Sequence, residues 1–248
     1  MSRGRFVNAR SDGDKLCFLC DTETVTDTIM IKAVIFDMDG LLIDSEPLWQ
    51  EAEIATFRGV GISLDRTLCL ETTGMRTDEM VAYWHRRYPW ESPTQKEIER
   101  SIIDSIIDMV RDRGNPKEGV EQVMEFVKRQ ELKTALASSS PYPIIEAVVD
   151  RFKLREKLDV IYSAEEEEFG KPHPGVYITT ARKLQVLPEE CLAIEDSLNG
   201  VLSAKAAKMK CIAIPEGAAR NDRRFAIADV VLESLADLDL ELWRLNGF

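Results

Sequence analysis

From residue 31 to residue 232, short apolar runs alternate with longer stretches whose apolar positions recur three or four apart. Ile31-Lys32-Ala33-Val34-Ile35-Phe36 is the first run, closed by an acid, and reads as a strand buried on both faces. Residues 133–137, 158–162, 191–194 and 211–214 repeat the pattern, and 228–232 adds an edge strand. Helical spacing fills 120–129, 143–152, 174–184 and 200–209. This alternation predicts an α/β fold, a Rossmann-like parallel sheet with helices on both faces.

Residues 46–114 break the alternation, with helical patterns and no convincing strand. The clearest helix there starts with Ser92 as N-cap, Pro93 at the first helical position and Gln95 three residues after the cap. Ile98, Ile102, Ile103, Ile106, Ile107 and Val110 then recur at helical spacing until Gly114 and Pro116 end it. The expected organisation is a small all-helical cap over 46–114, inserted into an α/β core made of 30–45 and 115–248. A lid of this kind can exclude water from a cleft.

Residues 1–29 are polar and read as a flexible tail: no apolar signal-peptide segment is present, and Asp12, Asp14 and Asp21 argue against a transit peptide. Cys17-Phe18-Leu19-Cys20 is half of a zinc motif whose second ligand pair is missing. The five cysteines are odd in number, and Cys191 and Cys211 lie in apolar runs, which fits a reducing cytoplasmic setting. A net charge of −12, from 32 basic against 44 acidic residues, repels nucleic acid and anionic membranes. No apolar run approaches the roughly 20 residues needed to span a bilayer.

Four polar clusters carry the chemistry. Asp37-Met38-Asp39-Gly40 ends the first strand, where open α/β sheets bind ligands. Acids two apart on extended backbone point the same way and repel each other unless a cation lies between them. Taken alone, the tetrapeptide also reads as a plain turn. Ser138, Ser139 and Ser140 follow a strand and offer a hydroxyl and free amides to a phosphate, or simply start a helix. Lys171, in Gly170-Lys171-Pro172-His173-Pro174, lies on a stiff loop that can aim a point charge, or be a solvated surface lysine. Glu195 and Asp196 end another strand and suggest oxygen ligation of a hard cation. The acidic run at 165–168 ends no apolar strand and reads as a solvated face.

Four such clusters in order, with the helical insertion after the first, resemble the haloacid dehalogenase superfamily over about residues 31–235. Residues 36–47 and 170–174 look like its β-phosphoglucomutase-like branch. The resemblance implies that Asp37 attacks phosphorus and that Asp39 is the general acid and base. Ser138 and the amide of Ser139 would hold phosphoryl oxygens, and Lys171 would offset their charge. Magnesium would sit on Asp37, the carbonyl of Asp39 and Asp196, with Glu195 a ligand or just behind.

The same core serves phosphatases and phosphosugar mutases, so the cap decides between them. Where mutases of this branch carry a histidine, a Lys-Gly-x-x-Arg motif and a Lys-Asn pair, this chain has Trp49, Thr73-Gly74-Met75-Arg76-Thr77 and Pro141-Tyr142. A phosphatase is therefore expected, with a mutase as the alternative. Residues 39–49, 88–90 and 136–141 are similar to bacterial phosphatases of hexitol and 2-deoxyglucose 6-phosphates. Trp49, Arg76 and Trp84 become candidates for the sugar end, with Trp84 equally readable as cap core. The expected partner is a small phosphate ester, and the chain is expected to be monomeric.

Overall fold

Ala33–Phe36 (β1) pairs in parallel with two strands, Lys133–Ser138 (β2) on one side and Cys191–Glu195 (β4) on the other. In the computed structural model, which describes residues 30–248, Val160–Ser163 (β3), Lys210–Ala213 (β5) and Val230–Val231 (β6) extend the sheet. The order is β3-β2-β1-β4-β5-β6, all parallel, so the expected α/β class holds. The readings made on residues 1–29 lie outside the described residues.

Strand pleating sorts the core. Val34, Phe36, Leu136, Leu192 and Ile194 face helices Val120–Arg129 (α5) and Tyr142–Arg151 (α6). Ala33, Ile35, Ala135, Ala137 and Ala193 face Gly175–Leu184 (α7) and Leu198–Ala206 (α8). Both faces are covered, which is why β1 is apolar throughout rather than alternating. Cys191 and Cys211 are buried free thiols, as their apolar surroundings imply.

Between β1 and α5 the chain forms Glu46–Arg58 (α1), Arg66–Cys69 (α2), Thr77–Arg87 (α3) and Gln95–Arg113 (α4), with no strand of the sheet. The start of α4 differs from the expected one. Its N-cap is Thr94, not Ser92, because Thr94 and Glu97 form a reciprocal capping box: the Glu97 amide donates to Thr94 Oγ1 and the Thr94 amide to Glu97 Oε2. Ile98, Ile102, Ile106 and Val110 still make its buried stripe.

The segments entering and leaving this helical insertion lie side by side. Ile43 bridges to Pro116, the Asp44 amide donates to the Asn115 carbonyl at 3.0 Å, and the Lys117 amide to the Leu42 carbonyl at 3.2 Å. Among the described residues, no helix is long and apolar enough to cross a membrane. A short last helix, Leu240–Leu245 (α9), packs Trp243 against Phe126 of α5.

Candidate active site

Strand order reverses between β1 and β4, and the acids fall there, just beyond the carboxyl ends of both strands. Asp37 is held at this point by its amide, which donates to the Ile194 carbonyl at 3.0 Å. Met38 is buried in the core, and the flanking Asp37 and Asp39 turn to the cleft. Gly40 then adopts φ +75, and a side chain there would meet Asp196: a Cβ would lie 2.1 Å from its Oδ2. Only glycine allows this turn and this approach together.

Lys171 is 3% exposed and ties the acids together. Its Nζ donates to Asp37 Oδ1 at 2.5 Å, to Glu195 Oε1 at 2.6 Å and to the Ala137 carbonyl at 3.1 Å. Tyr177, on α7, donates its hydroxyl to the same Glu195 oxygen at 2.6 Å. The second Glu195 oxygen accepts from the Ser197 hydroxyl at 3.2 Å. Glu195 is thus engaged on both oxygens by protein donors. Asp196 accepts no hydrogen bond among the described residues.

Three acids share one ammonium. Oxygens of Asp37, Glu195 and Asp196 lie within 4.8 Å of one another. Burial, only partly offset by Lys171, pushes the Asp37 carboxyl up to about 8, and burial beside Asp37 and Glu195 pushes Asp196 well up too. Burial works to lower Lys171, but Asp37 and Glu195 outweigh it and hold the ammonium firmly charged. Excess negative charge on an all-oxygen donor set fits a hard divalent cation.

On the other side of the cleft, Asp39 is held by three donors. Trp49 Nε1 donates to Oδ1 at 2.8 Å, Ser140 Oγ to Oδ2 at 2.7 Å, and Ser138 Oγ to Oδ2 at a long 3.4 Å. Ser138 Oγ also accepts from the Ser140 amide at 2.9 Å. Ser139 donates its hydroxyl to the Gly74 carbonyl of the helical insertion at 3.2 Å. The sequence places Ser140 in the serine turn but gives it no role of its own, because a third serine in a row carries no signal beyond the first two.

Asp37, Asp39, Ser138, Ser139, Lys171, Asp196 and Trp49 therefore line one cleft, open to solvent. Glu195 supports it from behind. Arg76 does not line it. Its guanidinium donates to the carbonyls of Ala164 at 3.2 Å and Glu167 at 2.7 Å and to Asp78 at 2.6 Å, so its fork is committed at the rim. Trp84 is wholly buried in the helical insertion, edge-on to Phe57 and Tyr83, and does not line the cleft.

The 165–168 run is largely solvated, as expected, with Glu165, Glu166 and Glu168 exposed, but it also carries contacts. Tyr142 and Tyr162 donate their hydroxyls to Glu166 and Glu167, while the backbone of this run receives Arg76. Nearby, the Gly170 amide donates to Glu79 Oε1 of α3 at 2.9 Å. Across the cleft Asn199 Nδ2 donates to the Thr73 carbonyl at 3.4 Å. Helical insertion and sheet are thus bonded to each other around the cleft.

An acid against a buried lysine, a second acid two residues on and a carboxylate pair on the neighbouring strand thus meet at the switch point of an α/β sheet. The sequence model of the haloacid dehalogenase-like hydrolases matches residues 31–208, and the chain belongs to that family. Within it the chain is a phosphatase. It is 44% identical over 209 residues to hexitol phosphatase B of Escherichia coli K12, covering 84% of this chain and 94% of that protein. The crystal structure of CbbY from Rhodobacter sphaeroides in complex with phosphate is 31% identical with a TM-score of 0.78, covering 84% of this chain and 96% of that one. A β-phosphoglucomutase from Clostridium difficile shares the fold at 23% identity and a TM-score of 0.76, over 88% of this chain and 97% of that one.

Proposed function

We propose that this chain is a Mg²⁺-dependent phosphatase that hydrolyses a hexose or hexitol 6-phosphate through an aspartyl-phosphate on Asp37. The observation that carries the reading is the charge layout of the cleft. Lys171 is the only lysine or arginine among the described residues lining it, and it sits beside Asp37. From the helical insertion the cleft is lined by Glu46, Trp49, Glu53 and Thr77. A substrate with one phosphate and an uncharged, hydroxyl-rich remainder suits that layout. A second phosphate, which a phosphosugar mutase must hold, would find acidic side chains and no cation there. The hexitol phosphatase named above supports the same substrate class.

Residues 46–114 act as the cap in this reading, and 30–45 with 115–248 as the catalytic core. An Asp37 oxygen attacks phosphorus as the bond to the leaving oxygen breaks, and Asp39 gives that oxygen a proton. Asp39 then takes a proton from water, which attacks phosphorus, breaks the bond to Asp37 and releases phosphate. Ser138 and the amide of Ser139 hold phosphoryl oxygens, and Lys171 offsets the charge they share with Asp37. Asp37, the carbonyl of Asp39 and Asp196 would hold Mg²⁺, with Glu195 orienting Lys171 beside it; the ion neutralises phosphoryl oxygens when bound.

The test is phosphate release from a panel of hexose and hexitol phosphates with Mg²⁺ or EDTA, beside a hexose 1-phosphate assay with bisphosphate activator. Release that EDTA stops and Asp37→Asn abolishes is expected. Interconversion of 1- and 6-phosphates would favour the mutase, and no release from folded protein would end the proposal.

A further inference from the structure

Three residues of α1 face the cleft in register: Glu46, Trp49 and Glu53, spaced three and four apart on one side of the helix. Trp49 is spoken for by Asp39, and Glu46 accepts from Gln50 at 2.8 Å. Glu53 is different. It is 6% exposed, lines the cleft, and its Oε2 has no hydrogen-bond partner among the described residues. Thr77, at the start of α3, is also buried against the cleft, and its Oγ1 is likewise without a partner. These atoms line the cleft from separate helices, as does the unpartnered Oγ1 of Thr73, and such buried groups are costly to keep unless something in the cleft meets them.

A packing role explains neither residue. Leucine at position 53 and valine at position 77 would fill similar space without orphaned polar atoms. Lysine or arginine near Glu53 would mark a structural ion pair, and the cleft offers none beyond Lys171. Burial, reinforced by Glu46, pushes the Glu53 carboxyl up to about 8. A carboxyl neutral near pH 7 both donates and accepts, matching a hydroxyl that does the same.

We infer that Glu53, assisted by Thr77, recognises hydroxyl groups on the carbon chain of the leaving alcohol and so selects polyhydroxylated esters over plain ones. This rests on the sugar-phosphate reading above and deepens it by assigning the selection to residues in the cap. A site that hydrogen-bonds substrate hydroxyls rejects analogues lacking them, because its own buried groups are then left unpaired.

The experiment compares kcat/KM for sorbitol 6-phosphate and phenyl phosphate in the wild type, Glu53→Leu, Glu53→Gln and Thr77→Val, with Mg²⁺ present. The wild type is expected to prefer the hexitol ester. Glu53→Leu should erode that preference by at least about tenfold, and Glu53→Gln, which keeps a donor and an acceptor, by clearly less. Thr77→Val should shift it in the same direction. Equal loss on both esters in Glu53→Leu, or an unchanged preference in both Glu53 variants, overturns the assignment while leaving the sugar-phosphate reading intact. A wild type with no preference for the hexitol ester removes that reading, and this inference with it. Should Glu53→Leu not fold, the glutamine and Thr77→Val variants decide: a preference unchanged from wild type in both overturns the inference.

Discussion

Arg76 reaches from the start of α3 to the Glu167 carbonyl at 2.7 Å, joining residues 91 positions apart and the helical insertion to the rim of the sheet. Arg76→Ala leaves two carbonyls without their donor and loosens the cap. If closure keeps water from the chemistry, kcat/KM for a sugar phosphate should fall by about tenfold, close to 1.4 kcal/mol. Arg76→Lys should recover less than half of that, since one ammonium cannot meet the two carbonyls, both held by Nη1, and also Asp78, held by Nε and Nη2. Steady-state kinetics check both, and wild-type kcat/KM in Arg76→Ala would mean the contact is dispensable.

Adding Mg²⁺ should stabilise the folded chain. An ion bound only by the native state contributes about 2.7 kcal/mol at a hundredfold excess over its Kd, enough to raise Tm by a few degrees. Asp196→Asn should remove the shift. In EDTA the same variant should be no less stable than wild type, because it relieves a buried like-charge cluster. Thermal melts with and without Mg²⁺ give both comparisons.

Gly40→Ala and Gly61→Ala form a matched pair. Both glycines have positive φ, +75 and +80, so alanine at either costs about 1–3 kcal/mol of backbone strain. Only at position 40 does the new Cβ strike anything: Asp196 Oδ2, at 2.1 Å. Gly61→Ala should therefore lose stability alone, while Gly40→Ala should also lose most activity and the Mg²⁺-dependent rise in Tm. Equal activities in the two variants would mean that Asp196 tolerates displacement.

Glu53 gives a pH signature with a fixed sign. Its carboxyl titrates near 8 in the folded chain, against 4.5 as its ordinary value. Between those limits the folded state holds a proton that the unfolded state has lost, so stability falls as pH rises. The slope from this group is at most about 1.4 kcal/mol per pH unit. Glu53→Gln lacks the term. The variant's Tm should gain on the wild type steadily from pH 5 to 8 and run parallel above 8, in melts made with EDTA. A constant gap across the range would show that Glu53 titrates normally.

Much of this site was legible because its chemistry sits where strands end. Asp37, Ser138 and Glu195 each follow or close an apolar run, so sequence position and sheet edge coincide. What stayed hidden depended on long-range geometry. Tyr177 lies at helical spacing among apolar neighbours and reads as core, yet its hydroxyl holds Glu195. Arg76, two residues after Gly74, reads as a sugar contact, but its long-range partners are main-chain carbonyls, which have no residue-type signature. The α4 cap was displaced by two residues because Ser92-Pro93 and Thr94 with Glu97 are both good starts, and the reciprocal bonds of the second pair decided it. Glu53 was invisible because one acid on an amphipathic helix is ordinarily solvated.

Ile43 sits between Asp39 and Pro116, so the 69 residues from 46 to 114 leave and rejoin the sheet through a single two-stranded neck. A graft whose two ends already touch can change length, helix count or lining without shifting any strand. The alcohol that is read and the phosphorus that is attacked are therefore free to diverge at separate rates, the first by drift in the graft, the second held still by the sheet.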